Sequence, residues 1–507
     1  MATILRMNGN VFPCSTPEKE GVRSADILAF LDDIKKESIE LHSLYVFRHG
    51  KLIASGTAAP FTEKSLHRLQ SAGKTLIGIA VLIAIQEGYL SLDDRVIPFF
   101  SDRVSETYDK RFDKLTIYHL LCMCSGHDRD TFAEMVKAKD WVKAFFDIAP
   151  AYEPGTYWLY NNGIPHILAL LVELATGKNV QDYLQDKLIK PMELNIRFGF
   201  NSGGELDPAV TCLSPESMAK FVLLFLQEGN WNGVQLVDRG LMRRAGSSLV
   251  PNSVNERPDA DSHAGYGFQL WRNAAGGFRI AGGGGQYGLV YPDGDLAIVT
   301  MAFTPIYHNI PSYAAKRIYS QLHECALPED FRSYKELCYR LSKFSLAPAP
   351  ASAASSCCAS KTGKFFEFKE NKLGVESVCF DFQSEFARIY VVQYGKTVTY
   401  ECGYHGSWVE NSNYFIVSND YSEFSVIYGE SQEYTLLSGG WTNDECFVIN
   451  VRSYASMGTA TVMCDFRFGG LSLTVIPAEL RGRNPRTRKK VEFKPILLET
   501  ITLSEEH

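Results

Sequence analysis

The sequence predicts an α+β protein, an antiparallel sheet flanked by helices with an inserted helical subdomain, followed by a separate all-β domain. Three observations carry this. A helix and a hairpin open the chain, and a strand meander with a helix closes its first 325 residues around a helical middle. An uncharged tract rich in Pro, Ala and Ser then runs from Ser345 to Ser356. Beyond it, helical periodicity disappears, and short strands alternate with turns of Gly, Asn and Asp.

The elements follow in order. Ile27, Leu28, Phe30, Leu31 and Ile34 behind Ser24 mark a capped amphipathic helix over 24–36. Leu44–Phe47, the turn at His49-Gly50 and Leu52–Ala54 read as a hairpin. The apolar run Leu76–Ile85 is too long for a strand, so a helix starts near Ser71 and closes at Gly88. Leu115–Leu121 ends at Ser125-Gly126, with Cys122, Met123 and Cys124 expected in helix. Helices follow over Ile164–Thr176, closed by Gly177, and over 215–228, closed by Gly229. Strands are expected at Tyr266–Trp271, Phe278–Ile280, Tyr287–Tyr291 and Leu296–Thr300, then a helix over 311–324. Strands such as Ala387–Val392 and Leu471–Ile476 belong to a barrel or sandwich. The domains are thus 1–345, a linker over 346–358, and an all-β domain over 359–507.

Composition excludes several classes. The chain has 507 residues, 45% hydrophobic and 21% charged, ordinary proportions for a soluble globular protein. A net charge of −7 argues against a general nucleic-acid binder. The basic run Arg481–Lys490 has no interleaved aromatics and reads as a solvated loop. The N-terminus lacks an apolar signal region, and Leu76–Ile85 is too short to span a bilayer. The twelve cysteines include no C-x-x-C pair and no zinc spacing, so reduced thiols, a cytoplasmic location and no metal or cofactor are expected.

Ser71 and Lys74 are the most informative residues. Three positions apart on a helix, they share a face. A hydroxyl is a poor nucleophile until its proton is taken, and a partly buried lysine can serve as that base. The unpaired N–H groups of a helix start can also stabilise an oxyanion. A bare Ser-x-x-Lys match is equally what a helix cap and a solvated first-turn lysine look like. Further along, Tyr160-Asn161-Asn162 follows a turn-rich segment and precedes a helix, a placement that presents side chains into a cleft. A tyrosine beside an ammonium is a plausible general base, and Asn162 has an amide with two usable ends; a buried aromatic with turn asparagines is the plain alternative. Finally, Gly282–Gly285 between two strands permit close backbone approach. Gly283, Gly285 and Gly288 also match G-x-G-x-x-G, but a strand and turn follow where a dinucleotide site needs a helix.

Ser71-Ala72-Gly73-Lys74, then Tyr160-Asn161-Asn162, then a glycine-rich strand edge resembles the serine hydrolase family of class C β-lactamases, DD-peptidases and related esterases and amide hydrolases. The resemblance covers about 15–325, and Ser-x-x-Lys is the mark of the penicillin-recognising enzymes. It implies that Ser71 is acylated, that Lys74 and Tyr160 share proton transfer, and that Asn162 orients Lys74 and substrate. It implies an oxyanion hole from the N–H groups of Ser71 and Gly283, with Gly282 alongside in the substrate-binding strand, and deacylation by water with Tyr160 as base.

One departure bears on substrate. Family members usually open the third motif with Lys or His, whereas the aligned residues here are Ile280-Ala281-Gly282, or Gly283-Gly284-Gly285 with the donor moved to Gln286. Either way the cation that would hold a β-lactam or peptide carboxylate is absent. Lys361-Thr362-Gly363 spells that motif, but lies beyond the linker as a decoy. The expected activity is therefore hydrolysis of a small-molecule ester, amide or peptide lacking that carboxylate, with weak or no β-lactamase activity. A D-amino-acid peptidase or amidase or a β-lactamase of the same family, or a catalytically weak binding or regulatory module, stand as alternatives. His67, His119, His127 and His166 are expected in structural hydrogen bonds. Roles left open for the β domain are covering the cleft, homodimerisation or binding a partner.

Overall fold

The structure is a computed structural model that describes residues 11–200, 206–254, 259–304, 306–349, 358–412, 435–453, 460–467, 470–477 and 496–500. The N-terminal ten residues, the basic run at 481–490 and positions 350–357 of the expected linker lie outside them. The described residues form two compact units, one ending at Phe344 and the other beginning at Ser345.

The first unit is built on α1 (Ser24–Lys36), β1 (Glu40–Arg48), β2 (Lys51–Thr57), α2 (Gly73–Gln86), α3 (Ile164–Thr176), α4 (Pro215–Leu226), β3 (Trp271–Arg272), β4 (Phe278–Gly282), β5 (Gln286–Tyr291), β6 (Leu296–Phe303), α5 (Asn309–Arg317) and α6 (Phe331–Ser342). Its sheet has the order β2-β1-β6-β5-β4-β3 and is antiparallel throughout. Alternation along each strand splits the core in two. Leu44 and Val46 of β1 face a core shared with Ile27, Phe30 and Ile34 of α1 and with Leu337 and Leu341 of α6. Tyr45 and Phe47, one residue out of step, face the larger core that holds α2, α3 and α4. Helix α2 is buried on every side from Gly73 to Ala84, which is why its sequence is apolar all round.

Local chemistry altered several expected elements. Ser24 does not cap α1; its N–H and hydroxyl donate to the Glu18 carboxylate, and Arg23 holds the cap position. The helix before Ser125 ends at Leu121, so Cys122, Met123 and Cys124 follow it, Met123 with φ of 60°. The strand expected at Tyr266–Trp271 survives only as Trp271–Arg272, because Gln269 is left-handed with φ of 56°. Helix α5 stops at Arg317 and a 3-10 turn covers Tyr319–Gln321. Helix α6 has no counterpart in the sequence reading. It is anchored to α1 by Arg340 Nη1 donating to Asp32 at 2.5 Å.

In the second unit, β7 (Phe365–Glu367), β8 (Val375–Phe382), β9 (Phe386–Gln393), β10 (Lys396–Gly403), β11 (Val409–Asn411), β12 (Thr435–Asn443), β13 (Cys446–Ser453), β14 (Ala460–Asp465), β15 (Ser472–Pro477) and β16 (Ile496–Glu499) form one curled sheet. Its edges meet, since Phe368 bridges Thr500 and the Lys369 N–H donates to Glu499 O at 3.3 Å. That closure is a barrel's rather than a sandwich's. Leu346 and Ala349, expected in a linker, are buried, and the Ala349 N–H donates to Ser438 Oγ at 3.2 Å. Lys361 of the decoy motif pairs with Glu445 at 3.1 Å within this unit.

Candidate active site

Ser71 sits in a 3-10 turn, Gln70–Ala72, immediately before α2 rather than inside it. Two close backbone approaches hold that turn. A Cβ on Gly73 would lie 2.0 Å from Pro208 O, and one on Gly282 would lie 2.2 Å from Leu69 O. The Leu69 N–H donates to Thr211 O at 2.8 Å and the Ala72 N–H to Leu69 O at 3.1 Å. Between them Gln70 is forced to φ of 53°, a strained conformation for a residue with a side chain and one that recurs where a catalytic group is aimed.

The Lys74 side chain follows one turn later and is only 3% exposed. Its Nζ donates to Ser71 Oγ at 2.9 Å. The same Nζ lies 5.0 Å from the centroid of the Tyr160 ring, which in turn packs on Trp271 at 5.3 Å. Three side chains from two distant stretches thus meet: the hydroxyl and amine of the Ser71–Lys74 segment and the phenol-bearing ring of Tyr160. Tyr160 is carried there by a tightly pinned loop. The Gly155 N–H donates to Cys124 O at 2.8 Å and the Leu159 N–H to Met123 O at 3.0 Å. Asn161 is fully buried, and its Oδ1 accepts from Thr131 Oγ1 at 2.8 Å and from the Gly163 N–H at 2.9 Å.

Asn162 has one end of its amide tied to Asp130, which leaves the amide oxygen and one N–H for other partners. Its backbone N–H donates to Asp130 Oδ1 at 2.8 Å, and its Nδ2 to Asp130 Oδ2 at 2.5 Å. An ionised carboxylate only accepts, so the nitrogen must face Asp130 and the amide oxygen the other way. Asp130 and Trp271 were missed as site residues, and Gln286 was considered only as an alternative backbone donor. Of the two missed, only Asp130 left any signal, as the acidic pair Asp128 and Asp130 after Ser125-Gly126.

Gly282 ends β4 against the Ser71 turn, and a Cβ on Gly283 would have Gln70 Cβ as its nearest neighbour, 4.0 Å away. Gly284 and Gly285 then turn the chain with φ of 79° and 107°. Gln286 is already in β5, paired with Gly282, and its side chain donates to Ala302 O at 2.6 Å. Neither Ser71 N–H nor Gly283 N–H has an acceptor among the described residues. Both residues are half-buried, and N–H groups left free beside the Ser71 hydroxyl are able to receive a negatively charged oxygen. Ile280, two residues before Gly282, is fully buried.

The histidines do structural work where their bonds are visible. His127 contacts Ser125 Oγ at 2.9 Å and Ile148 O at 3.1 Å, and burial pushes its pKa down to about 4. His67 contacts Ser65 O at 3.0 Å; burial, then neighbouring His42, takes it down to about 3. His119 closes a capping box with Thr116. Among the described residues, no cluster of His, Cys, Asp and Glu is arranged to hold a metal ion. No described helix is long and apolar enough to cross a membrane.

The model of the beta-lactamase family matches residues 38–306, more than half the chain and the whole of this constellation. The chain belongs to the beta-lactamase family. Curated relatives include an uncharacterized protein of Alkalihalophilus pseudofirmus, 25% identical over 44% of this chain and 65% of that protein. A beta-lactamase of Escherichia coli K12 is 26% identical over 27% of this chain and 35% of its own length. Esterase EstB of Burkholderia gladioli is 25% identical over 35% of this chain and 52% of its length. The chain therefore matches less than two thirds of each of these relatives. Among solved structures, an octameric penicillin-binding protein homologue from Pyrococcus abyssi aligns with 94% of this chain and 99% of its own, at 14% identity and a TM-score of 0.46. The fold of the first unit is that of this serine hydrolase family, and a curled sheet domain follows it.

Proposed function

We propose that this chain is a serine hydrolase cleaving ester or amide bonds through an acyl-enzyme on Ser71. The observation that carries the proposal is the 2.9 Å bond between Lys74 Nζ and Ser71 Oγ, with Tyr160 packed beside the amine. Lys74 and Tyr160 take the Ser71 proton as Oγ attacks the carbonyl carbon, and the same pair returns it to the leaving alcohol or amine. The N–H groups of Ser71 and Gly283 receive the oxyanion. A water molecule, deprotonated by Tyr160, then releases the acyl group. Asn162 offers its amide oxygen to Lys74 or to a substrate N–H while its nitrogen stays on Asp130.

Ile280 supplies no charge where a carboxylate would need one, which favours substrates without that group and predicts slow or absent β-lactam hydrolysis. Intact-mass analysis after exposure to a fluorophosphonate and a panel of acyl esters tests the proposal. A single adduct is expected on the native chain and none on Ser71→Ala. An unlabelled native chain that releases no p-nitrophenol would refute it, as would labelling that survives Ser71→Ala. Rapid hydrolysis of a chromogenic cephalosporin would overturn the substrate preference.

A further inference from the structure

The glycine turn beside Ser71 is clamped through its carbonyl groups, one after another. Gly282 O accepts from the Gly285 N–H at 3.4 Å, and Gly283 O from Gln286 Nε2 at 3.3 Å. Gly284 O accepts from the Thr304 N–H at 3.1 Å, and Gly285 O from Thr300 Oγ1 at 3.0 Å. Each peptide group is planar and trans, so fixing a carbonyl fixes the opposite direction of the next N–H. Four consecutive planes are thereby oriented in a segment whose glycines would otherwise be the freest residues in the sheet. The Gly283 and Gly284 N–H groups point at no acceptor among the described residues.

Two of the four clamps are side chains. Gln286 is 6% exposed, and its amide nitrogen also donates to Ala302 O at 2.6 Å, tying the turn to β6. Two carbonyl acceptors demand the NH2 end, and the amide oxygen is consequently left buried with no partner. An apolar residue of similar size would avoid that unpaired oxygen, so packing alone does not account for glutamine here. Thr300 is fully buried and spends its hydroxyl on Gly285 O.

The Gly283 N–H shares its peptide plane with Gly282 O, which the Gly285 N–H clamps, and we infer that Gln286 and Thr300 are positioning residues that hold the Gly283 N–H ready for the oxyanion indirectly, by fixing the Gly283 and Gly285 carbonyls and with them the turn that keeps the Gly285 N–H on Gly282 O. This rests on the serine hydrolase reading above. Neither side chain touches substrate in this scheme; both act through the backbone. Their removal therefore weakens binding of the tetrahedral state while leaving ground-state binding nearly unchanged.

The test uses the full chain and three variants, Gln286→Leu, Thr300→Val and the double variant. Each is assayed with p-nitrophenyl butyrate and with phenylboronic acid, which forms a tetrahedral adduct on the serine. Gln286→Leu is expected to lower kcat about 10- to 100-fold with KM changed less than about threefold, short of the loss of a whole oxyanion donor. Boronate affinity should fall in step with kcat. Thr300→Val, nearly isosteric, should move both in the same direction by about three- to tenfold, and it carries the test if Gln286→Leu fails to fold. Variants that keep kcat, or that lose kcat without matching loss of boronate affinity, overturn the inference while leaving an active Ser71 intact. A native chain that neither hydrolyses the ester nor binds boronate overturns the parent reading and this one together.

Discussion

Gly282→Ala is the sharpest perturbation of the nucleophile turn. The added Cβ would sit 2.2 Å from Leu69 O, 2.9 Å from Gln286 Cβ and 3.2 Å from Ala72 Cβ. Real Cβ atoms keep at least about 3.0 Å from such neighbours, so β4 or the turn must retreat by roughly 0.8 Å. The turn cannot go far, because Gly73 already abuts Pro208 O on its other side. The displacement therefore opens the gap between Ser71 and the Gly283 N–H, the two donors meant to share one oxygen. A misplacement of about 1 Å at reacting groups costs on the order of a hundredfold in rate. Gly283→Ala is the control, since its Cβ would have no heavy atom nearer than 4.0 Å and its φ is not positive. Initial rates with p-nitrophenyl butyrate should give kcat/KM down about a hundredfold for Gly282→Ala. The control should lose no more than about fivefold, and circular dichroism should show both folded. Equal rates for Gly282→Ala and the native chain would refute the packing argument. A larger loss at Gly283 than at Gly282 would show that the strand meets the nucleophile in a different register.

Other outcomes follow from the same coordinates. Tyr160→Phe keeps the ring against Trp271 but loses the proton carrier, so kcat should fall about 10²- to 10⁴-fold and an acyl-enzyme should accumulate in the mass spectrum; unchanged turnover would assign the base role to Lys74 alone. Native His67 and His127 stay neutral down to about 3 and about 4, while the unfolded chain binds those protons below about 6.5. Their contribution is thus fully present above about pH 6.5 and is lost on acidification at about 1.4 kcal/mol per pH unit for each; a urea midpoint unchanged between pH 7.5 and 5 would contradict this. The barrel interior of the second unit holds an apolar cavity of about 40 Å³ beside Val462 and Val475, which at about 24 cal/mol per Å³ costs about 1 kcal/mol. Val462→Ile should raise the urea midpoint of that unit slightly, whereas a clear drop would show the space is already filled.

The first unit was largely legible because its elements are written locally. Ile164–Thr176 shows helical period and a closing glycine, and Gly177 takes the left-handed cap with φ of 69°. The hairpin at His49-Gly50 is equally local. Failures came where tertiary partners overrule local pattern. Glu18 takes the hydroxyl of Ser24, and a left-handed Gln269 cuts a strand that alternation made plausible. Helix α6 went unread because its ties, Leu337 and Leu341 against Phe30 and Ile34, and Arg340 to Asp32, join residues some three hundred positions apart.

The site divides in the same way. Ser71 and Lys74 were readable because three-residue spacing sets their geometry, and Tyr160 because a turn-rich segment before a helix is a local signal. Their supports were not readable. Asp130 meets Asn162 across 32 positions, and Gln286 meets Ala302 only because β5 pairs with β6 in one register. The ambiguity among four glycines shows what coordinates add. Sequence alone allowed either Gly283 or Gln286 as second donor, since each of the four consecutive glycines follows a small residue. Steric contact distinguishes them: Gly282 is the residue with no room for a Cβ against Leu69, whereas Gln286 is buried on β5 with its amide spent on neighbouring carbonyls. A strand that presses its backbone onto the Ser71 turn at Gly282 has its next free N–H at Gly283, which favours Gly283 over Gln286 as the proposed second donor.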